Sequence, residues 1–159
     1  MKLTHLDESG RARMVDVGSK PVSERTAIAD GVVRMSPEAF EQVSAQTVTK
    51  GDVLAVAEVA GTLAAKRTGE LIPLCHPLGL DLVEVEAQLE PELPGVRIVA
   101  RAKATGKTGV EMEALTAVAV ACLTVYDMVK GIDRGMTIED VRLLSKTGGT
   151  RGDWSRAEG

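Results

Sequence analysis

Aromatic residues are nearly absent from this chain of 159 residues: one Trp, one Tyr and one Phe make up 2% of it. Base-stacking surfaces that bind single-stranded nucleic acid need several aromatic rings, so this scarcity argues against that class of protein. An excess of positive charge is absent as well, because 19 Lys and Arg residues stand against 23 Asp and Glu residues, for a net charge of −4. Any phosphate binding must therefore come from local lysines and arginines.

Cysteine is also scarce, and both residues, Cys75 and Cys122, lie in apolar surroundings, as is typical of a reducing compartment. Together with His5 and His76 they are the only soft metal ligands, and their spacing matches no structural zinc motif, so no metal site is predicted. The sequence starts without an apolar signal core, and no apolar run is long enough to span a membrane. We therefore expect a soluble cytoplasmic protein with no membrane or nucleic-acid partner.

The hydrophobic share of 44% is supplied mainly by Val, Ala and Leu, and it suffices for one domain with a proper core. No internal repeat or domain boundary is visible, so we expect residues 1–159 to form a single domain. Residues 1–21 mix charge, Gly and Ser with little periodicity and are predicted to be a mobile arm, in which His5 is simply solvated. Residues 150–159 are predicted to be a loose tail.

The central feature is the stretch from Gly106 to Lys130, in which charged residues flank thirteen uncharged ones. Its apolar residues keep a helical spacing, which predicts one long helix, and the helix is apolar nearly all round, so it should be packed on more than one side. Glu113 and Asp127 are fourteen positions apart, which places them about 320° around the axis and roughly 21 Å along it.

One small ligand cannot contact both ends of that helix. If both ends serve one site, the second end must come from another copy of the chain, as in an antiparallel helix pair about a two-fold axis. The ordinary alternative is that the acids and the lysine complement the helix dipole.

The remaining elements follow from turn, cap and alternation signals. They are a strand at 26–35 with a possible bulge at Gly31, a helix from Ser36-Pro37 to Ala45, a helix capped by Asp52 that stops near Gly69, a hairpin of strands 81–90 and 96–104 with acids opposite bases, a short turn at T-I-E-D (137–140), and a last strand at 141–146 before Thr147-Gly148-Gly149. This order predicts an α+β, ferredoxin-like split βαβ fold, with a four-stranded antiparallel sheet and helices on one face.

The segment L-I-P-L-C-H-P-L-G-L, residues 71–80, cannot form a long regular element, because it contains two prolines and a glycine. Its other residues are almost all apolar, and a buried irregular segment must satisfy its backbone by special geometry. His76 is the only polar side chain in it. A structural role for a lone histidine is common, but presentation of one imidazole from an apolar wall favours a functional one.

Three glycine-containing turns carry lysines: Lys50-Gly51, Gly106-Lys107-Thr108-Gly109 and Lys146-Thr147-Gly148-Gly149. The second lacks the full spacing and the parallel βαβ context of a P-loop, so this is not an NTPase of that class. Lysines beside such turns nevertheless suit phosphate, although each alone is an ordinary surface lysine. The further cations that could surround a polyphosphate are Lys66, Arg67, Lys130 and Arg134. Asp127 and Lys130, one turn apart, form either a plain helix ion pair or a general acid–base pair.

Four long motifs carry a resemblance to a known family: A-A-K-R-T-G-E-L-I-P-L-C-H-P-L (64–78), T-G-K-T-G-V-E-M-E-A-L-T-A-V (105–118), T-V-Y-D-M-V-K (124–130) and L-L-S-K-T-G-G (143–149). With the opening T-H-L-D…M-V-D-V, the chain resembles the cyclic pyranopterin monophosphate synthase family, the C protein of molybdenum cofactor biosynthesis. The match covers essentially the whole chain and is loose only in the arm and beyond Gly149.

The resemblance implies a lyase reaction on 3′,8-cyclo-7,8-dihydro-GTP that yields cyclic pyranopterin monophosphate and pyrophosphate. It also implies a homohexamer, a trimer of dimers with its sites at the dimer interface. The implied functional positions are Lys50, His76, Glu111, Glu113, Asp127, Lys130 and Lys146, with Leu74-Cys75-His76 and Met112-Glu113 as substrate-contacting segments and Asp127 as the active-site residue. Mg²⁺ accompanying the triphosphate stays open.

Under this hypothesis, Lys50, Lys107, Lys130 and Lys146 hold the triphosphate, and Asp127 and Lys130 relay protons. His76 and the two glutamates position the guanine-derived part or serve as further acid–base groups. The competing hypothesis is a non-catalytic nucleotide-binding regulatory oligomer, since ferredoxin-like domains often sense small ligands. That protein would need the lysines but not Glu111, Glu113 and Asp127 together.

Overall fold

The computed structural model describes residues 4–158. Its elements in chain order are β1 (Ser23–Arg34), α1 (Pro37–Ser44), α2 (Val53–Lys66), α3 (Thr68–Leu71), β2 (Leu82–Glu90), β3 (Gly95–Gly106), α4 (Glu111–Val129), β4 (Thr137–Thr147) and β5 (Trp154–Ser155).

The strands form one antiparallel sheet in the order β2-β3-β1-β4-β5, and the helices pack on one of its faces. This arrangement confirms the predicted α+β, ferredoxin-like split βαβ fold. The strand count differs by one, because Trp154 and Ser155 pair with Lys146 and Ser145 at the edge of the sheet. A strand of two residues is too short to show the alternation by which strands are recognised in a sequence.

Both predicted helix starts are confirmed by their caps. The Oγ of Ser36 accepts a hydrogen bond from the amide of Ala39 at 3.2 Å, and Oδ1 of Asp52 accepts one from the amide of Ala55 at 3.0 Å. The prediction that Gly69 ends the second helix is wrong, because α2 ends at Lys66 and Gly69 lies within α3. A Cβ at Gly69 would lie 3.1 Å from Cα of Pro77, so this glycine serves close packing against the segment 71–80.

The bulge predicted at Gly31 is confirmed, since the register of β1 against β4 shifts between Asp30 and Val32. A Cβ at Gly31 would approach Cγ1 of Val118 in α4 to 2.8 Å, so the glycine also lets the helix lie close to the sheet. The predicted turn at 137–140 is wrong, because these residues belong to β4. Asp140 has a φ of 53°, a left-handed conformation that is more common in turns than in strands, so β4 is locally irregular where the sequence predicts a turn.

Charge pairing across the predicted hairpin is only partly confirmed. Arg101 Nη1 lies 3.7 Å from Glu84 Oε2 on the facing strand, as predicted. Arg97 instead pairs with the buried Asp30 at 2.7 Å, and Lys103 pairs with Glu24 at 3.1 Å. Because β3 lies between β2 and β1, its basic side chains can reach acids on either neighbour.

Helix α4 confirms the predicted long helix and forms the centre of the core. It has 19 residues, and its most apolar window of 18 residues has a mean hydropathy of 1.6, so by length and composition it could span a membrane, contrary to the expectation from the sequence. However, 56% of its most apolar window is buried inside the fold. Gly61 of α2 packs against it, since a Cβ there would lie 2.9 Å from the carbonyl oxygen of Ala117. The apolar length of α4 is therefore that of a core helix.

Apart from Leu71, which ends α3, residues 71–80 are irregular, as predicted, but the expectation that they are buried is wrong. Leu71 is 56% exposed and Leu74 36% exposed. The segment lies on the outside of the single chain beside the N-terminal end of α4, where Cys75 contacts Glu113. Leu78 and Leu80 pack against the core, whereas Leu71 and Leu74 are partly open to solvent in the single chain.

Candidate functional site

A cavity of about 510 Å³ lies at the N-terminal end of α4. Six of the residues selected from the sequence line it: Leu74, Cys75, His76, Glu111, Met112 and Lys146. The irregular segment 71–80 supplies one wall, the first turn of α4 a second, and the end of β4 a third. Lys146 Nζ lies 3.7 Å from Glu111 Oε1, so a cation and an anion face the same space from different elements.

Glu113 lies beside a second, adjoining cavity of about 290 Å³, which Cys75 and Lys66 also line. Glu113 is only 2% exposed, and its Oε2 has no hydrogen-bond partner among the described residues. Its Oε1 accepts only a weak hydrogen bond from Sγ of Cys75, at 3.9 Å. Burial raises the pKa of Glu113, and burial followed by the charge of Glu113 raises the pKa of the Cys75 thiol. Both groups therefore favour their protonated forms more than free side chains do.

A separate cluster occupies the C-terminal end of α4. The carboxylate of Asp127 accepts hydrogen bonds from Lys130 Nζ at 2.7 Å and from Lys50 Nζ at 3.0 Å. Lys50 also donates to the main-chain oxygen of Asp127 at 3.0 Å, which fixes the loop before α2 against the end of α4. Hydrogen bonds from Lys130 and then from Lys50 lower the pKa of Asp127 to about 2. Asp127 is therefore an anion that holds two ammonium groups in one place.

The structure thus divides the predicted residues between the two ends of α4. Glu113 and Asp127 stay fourteen positions apart on one continuous helix, about 21 Å along its axis at 1.5 Å per residue. Of the other candidates, Lys107 donates to the main-chain oxygen of Gly18 at 2.9 Å and does not line the larger cavity. Arg67 caps α2 and projects into solvent. A single chain therefore brings together two partial sites.

Comparison with known proteins identifies the family. A family model described as the MoaC family matches residues 14–149. Curated proteins named cyclic pyranopterin monophosphate synthase are similar over nearly the full chain. The protein of Thermomicrobium roseum is 57% identical over 157 residues (99% of this chain, 95% of the relative), that of Parvibaculum lavamentivorans 56% over 153 (96% of each), and that of Brucella ovis 54% over 154 (97% and 93%). The chain belongs to the MoaC family. The resemblance seen in the sequence motifs is confirmed.

Four basic residues of this MoaC-family chain line the larger cavity although no sequence motif pointed to them: His5, Lys20, Arg25 and Arg151. Three of them lie in the segments that were expected to be a mobile arm and a loose tail. The structure places parts of both segments along the cavity wall. Arg25 had a detectable signal, since it shares a face of β1 with Ala27 and Ala29, where a charged residue is out of place.

The larger cavity of this MoaC-family chain carries an excess of positive charge. Four cationic side chains line it, Lys20, Arg25, Lys146 and Arg151, against the single carboxylate of Glu111. Such a surface attracts an anion even though the whole chain has a net charge of −4. Within residues 4–158, no three or more His, Cys, Asp or Glu side chains are grouped so as to hold a metal ion. The charge of the lining therefore suits an anionic ligand.

Proposed function

We propose that this protein is a cyclic pyranopterin monophosphate synthase, a lyase of molybdenum cofactor biosynthesis. Its substrate is 3′,8-cyclo-7,8-dihydroguanosine 5′-triphosphate, and its products are cyclic pyranopterin monophosphate and pyrophosphate. The observation that carries the proposal is the identity of 54–57%, over nearly the whole chain, to relatives that bear this enzyme name. The regulatory alternative is not favoured, because these relatives are named as synthases.

The complete site, in this proposal, is shared between two copies of the chain. Glu113 and Asp127 lie at opposite ends of one helix. Two antiparallel copies of α4 about a two-fold axis therefore bring Glu113 of one copy near Asp127 of the other. Large apolar side chains are exposed on the helices that would meet. Leu123 of α4 is 56% exposed, and Val59 and Leu63 of α2 are 60% and 51% exposed. Burying such side chains against a second copy stabilises the pair.

The same pairing accounts for the segment 71–80. Its apolar residues Leu71 and Leu74 are exposed in one chain, and a second copy that lies over α4 would cover this neighbourhood too. A trimer of such dimers gives the homohexamer that the family resemblance implies. A cytoplasmic location is part of the proposal. Light scattering tests the assembly, since a mass of six chains supports the hexamer and a mass of 16.8 kDa would contradict any shared site.

The residues at the two ends of α4 have different chemical tasks in this proposal. Lys50 and Lys130, held together by Asp127, meet the triphosphate with Lys146, and their positive charge stabilises the departing pyrophosphate. With a pKa of about 2, Asp127 is ionised at neutral pH and orients Lys130, which passes protons during opening of the purine ring. Glu113, His76 and Glu111 contact the guanine-derived part. The raised pKa of Glu113 suits a group that donates a hydrogen bond or a proton.

Conversion of the cyclised triphosphate by the purified protein tests this function. Pyrophosphate and the pterin product are measured together, and we expect them in equal amounts from the wild-type protein and neither from Lys130→Ala. The matched control is Lys103→Ala, which removes a lysine paired with Glu24 on the sheet, away from both clusters. Absence of both products from the wild-type protein, or full activity of Lys130→Ala, would refute the assignment.

A further inference from the structure

The N-terminal arm lies against both cavities. Five of its residues line the larger cavity: Thr4, His5, Val15, Val17 and Lys20. Met14 lines the smaller cavity, and Leu6 pairs with Ala12 to close a small hairpin within the arm. The first residues of a domain are poorly ordered unless they are tied down. The contact that ties this arm to the rest of the chain therefore decides whether one wall of the larger cavity is in place.

Within the part of the chain that the structure describes, a single hydrogen bond joins residues 4–21 to the rest of the fold. Lys107 Nζ donates it to the main-chain oxygen of Gly18, at 2.9 Å. The other hydrogen bonds of residues 4–21 have both partners inside that segment. No salt bridge among residues 4–158 involves the arm. Because the donor is an ammonium group, this one bond is stronger than a bond between two neutral groups.

Both partners of this bond are held in place by their own surroundings. Lys107 lies in the turn between β3 and α4, where Thr108 and Gly109 line the larger cavity and Lys107 does not. On the side of the arm, Oδ1 of Asp16 accepts a hydrogen bond from the amide of Gly18 at 2.8 Å. That bond shapes the turn that presents the Gly18 oxygen to Lys107. The ammonium group is therefore directed at the arm.

We propose that Lys107 is a positioning residue that clamps the N-terminal arm against the larger cavity through the Gly18 carbonyl, and that it is not a ligand of the triphosphate. The clamp keeps the wall that includes Val15, Val17 and Lys20 in place. When the arm is open, the apparent affinity for the ligand falls with the fraction of molecules in the closed state. The proposal deepens the proposed function and rests on it for the effect on turnover. The clamp itself rests on contacts within the chain.

Trypsin cleavage of the full-length protein after Arg13 tests the clamp without any substrate. The next residue, Met14, lies at the smaller cavity, so the protease reaches this bond when the arm is open, and the cleavage rate follows the open population. Lys107→Met removes the ammonium group and should raise this rate about tenfold. Lys107→Arg keeps N–H donors and should stay within about twofold of the wild type. The matched control is Lys103→Met, which changes a lysine paired with Glu24 on the sheet and should leave the rate unchanged.

A double-variant cycle separates the clamp from a direct phosphate contact. Asp16→Ala loosens the Gly18 turn from the side of the arm. This variant and Lys107→Met should each raise the KM for the cyclised triphosphate about tenfold and change kcat less. The double variant should have nearly the same KM as either single variant, because both substitutions disrupt the same contact. A direct contact of Lys107 with the phosphates would instead make the two increases multiply. The control is Glu8→Ala, which changes an exposed acid of the arm and should leave KM unchanged.

Three results would overturn the proposal: a wild-type cleavage rate in Lys107→Met, cleavage of Lys107→Arg as fast as that of Lys107→Met, or increases in KM that multiply in the double variant. The first two refute the clamp, and the third refutes its action through the arm. None of them touches the proposed function if the wild-type protein converts the cyclised triphosphate. Conversely, faster cleavage of Lys107→Met in a protein that does not convert the substrate would leave the clamp standing and refute the function.

Discussion

Replacement of Glu113 by Gln tests the buried carboxyl group at the N-terminal end of α4. Glu113 is 2% exposed, one carboxylate oxygen lacks any partner among the described residues, and the other has only a thiol at 3.9 Å. Leaving one buried polar group unsatisfied costs about 1–3 kcal/mol, and more when the group is charged. The neutral amide of Gln avoids the charged part of that cost while it keeps the size of the side chain.

The sign of the pH dependence follows from the raised pKa of Glu113. The folded state binds this proton more tightly than the unfolded state, so the free energy of unfolding falls as pH rises through the folded-state pKa. Below the ordinary pKa of a free glutamate the two proteins should be equally stable. At pH 8 Glu113→Gln should be more stable than the wild type, by about 1.4 kcal/mol for each unit by which the fold raises the pKa of Glu113. For a chain of this length, that corresponds to a rise in Tm of about 2–4 °C per kcal/mol.

Thermal unfolding at one fixed protein concentration, followed by circular dichroism between pH 4 and pH 9, measures this difference. The control is Glu86→Gln, which changes an exposed glutamate in β2 and should follow the wild-type curve. A Glu113→Gln curve parallel to the wild type at every pH would refute the reasoning. So would a Glu113→Gln protein that is less stable than the wild type at pH 8.

Three further predictions concern other parts of the molecule. Asp127→Asn should lower kcat about 10²- to 10⁴-fold in the product assay. Its Tm should stay unchanged, because the carboxylate is exposed. Since the pKa of Asp127 is about 2, its charge is lost only as pH falls through that value, and the wild-type rate should show no acid limb from it above about pH 4. Gly61→Ala should destabilise the fold by about 1–3 kcal/mol in denaturant titration, because the added Cβ meets the main chain of α4 at Ala117; a stabilised variant would contradict the close helix approach. Asp30→Asn should cost about 1–3 kcal/mol in the same titration, since it removes the charge that two arginines share; equal stability would show that the buried charge is not needed.

The fold was largely predictable because its signals are local. The caps at Ser36 and Asp52 and the glycine bulge at Gly31 each depend on neighbouring residues only. The errors occurred where distant packing decided the outcome. Gly69 resembles a helix-ending glycine in the sequence, but its role is to approach Pro77, a contact that no local pattern encodes.

The site was predictable only in part, for the same reason. The acids and lysines of α4 and of the glycine-containing turns were visible in the sequence, and the structure places them in two clusters at the helix ends. Arg25 has a local signal, its place on the apolar face of β1, but its contacts with the Gly106 carbonyl, the Gly149 backbone and the cavity depend on distant elements that the sequence does not bring together. Exposure of the segment 71–80 was missed because its apolar composition gives no sign of whether its own chain or another covers it.

In the proposed function, one active site needs both ends of α4 from different chains. Mixing a Glu113→Ala variant with an Asp127→Ala variant, each inactive alone, tests it most directly. After subunit exchange, half of the dimers contain one chain of each kind, and each mixed dimer has one fully wild-type site and one doubly altered site. We therefore expect recovery of about one quarter of the wild-type activity in the product assay. No recovered activity, with exchange demonstrated by labelled chains, would contradict the shared site.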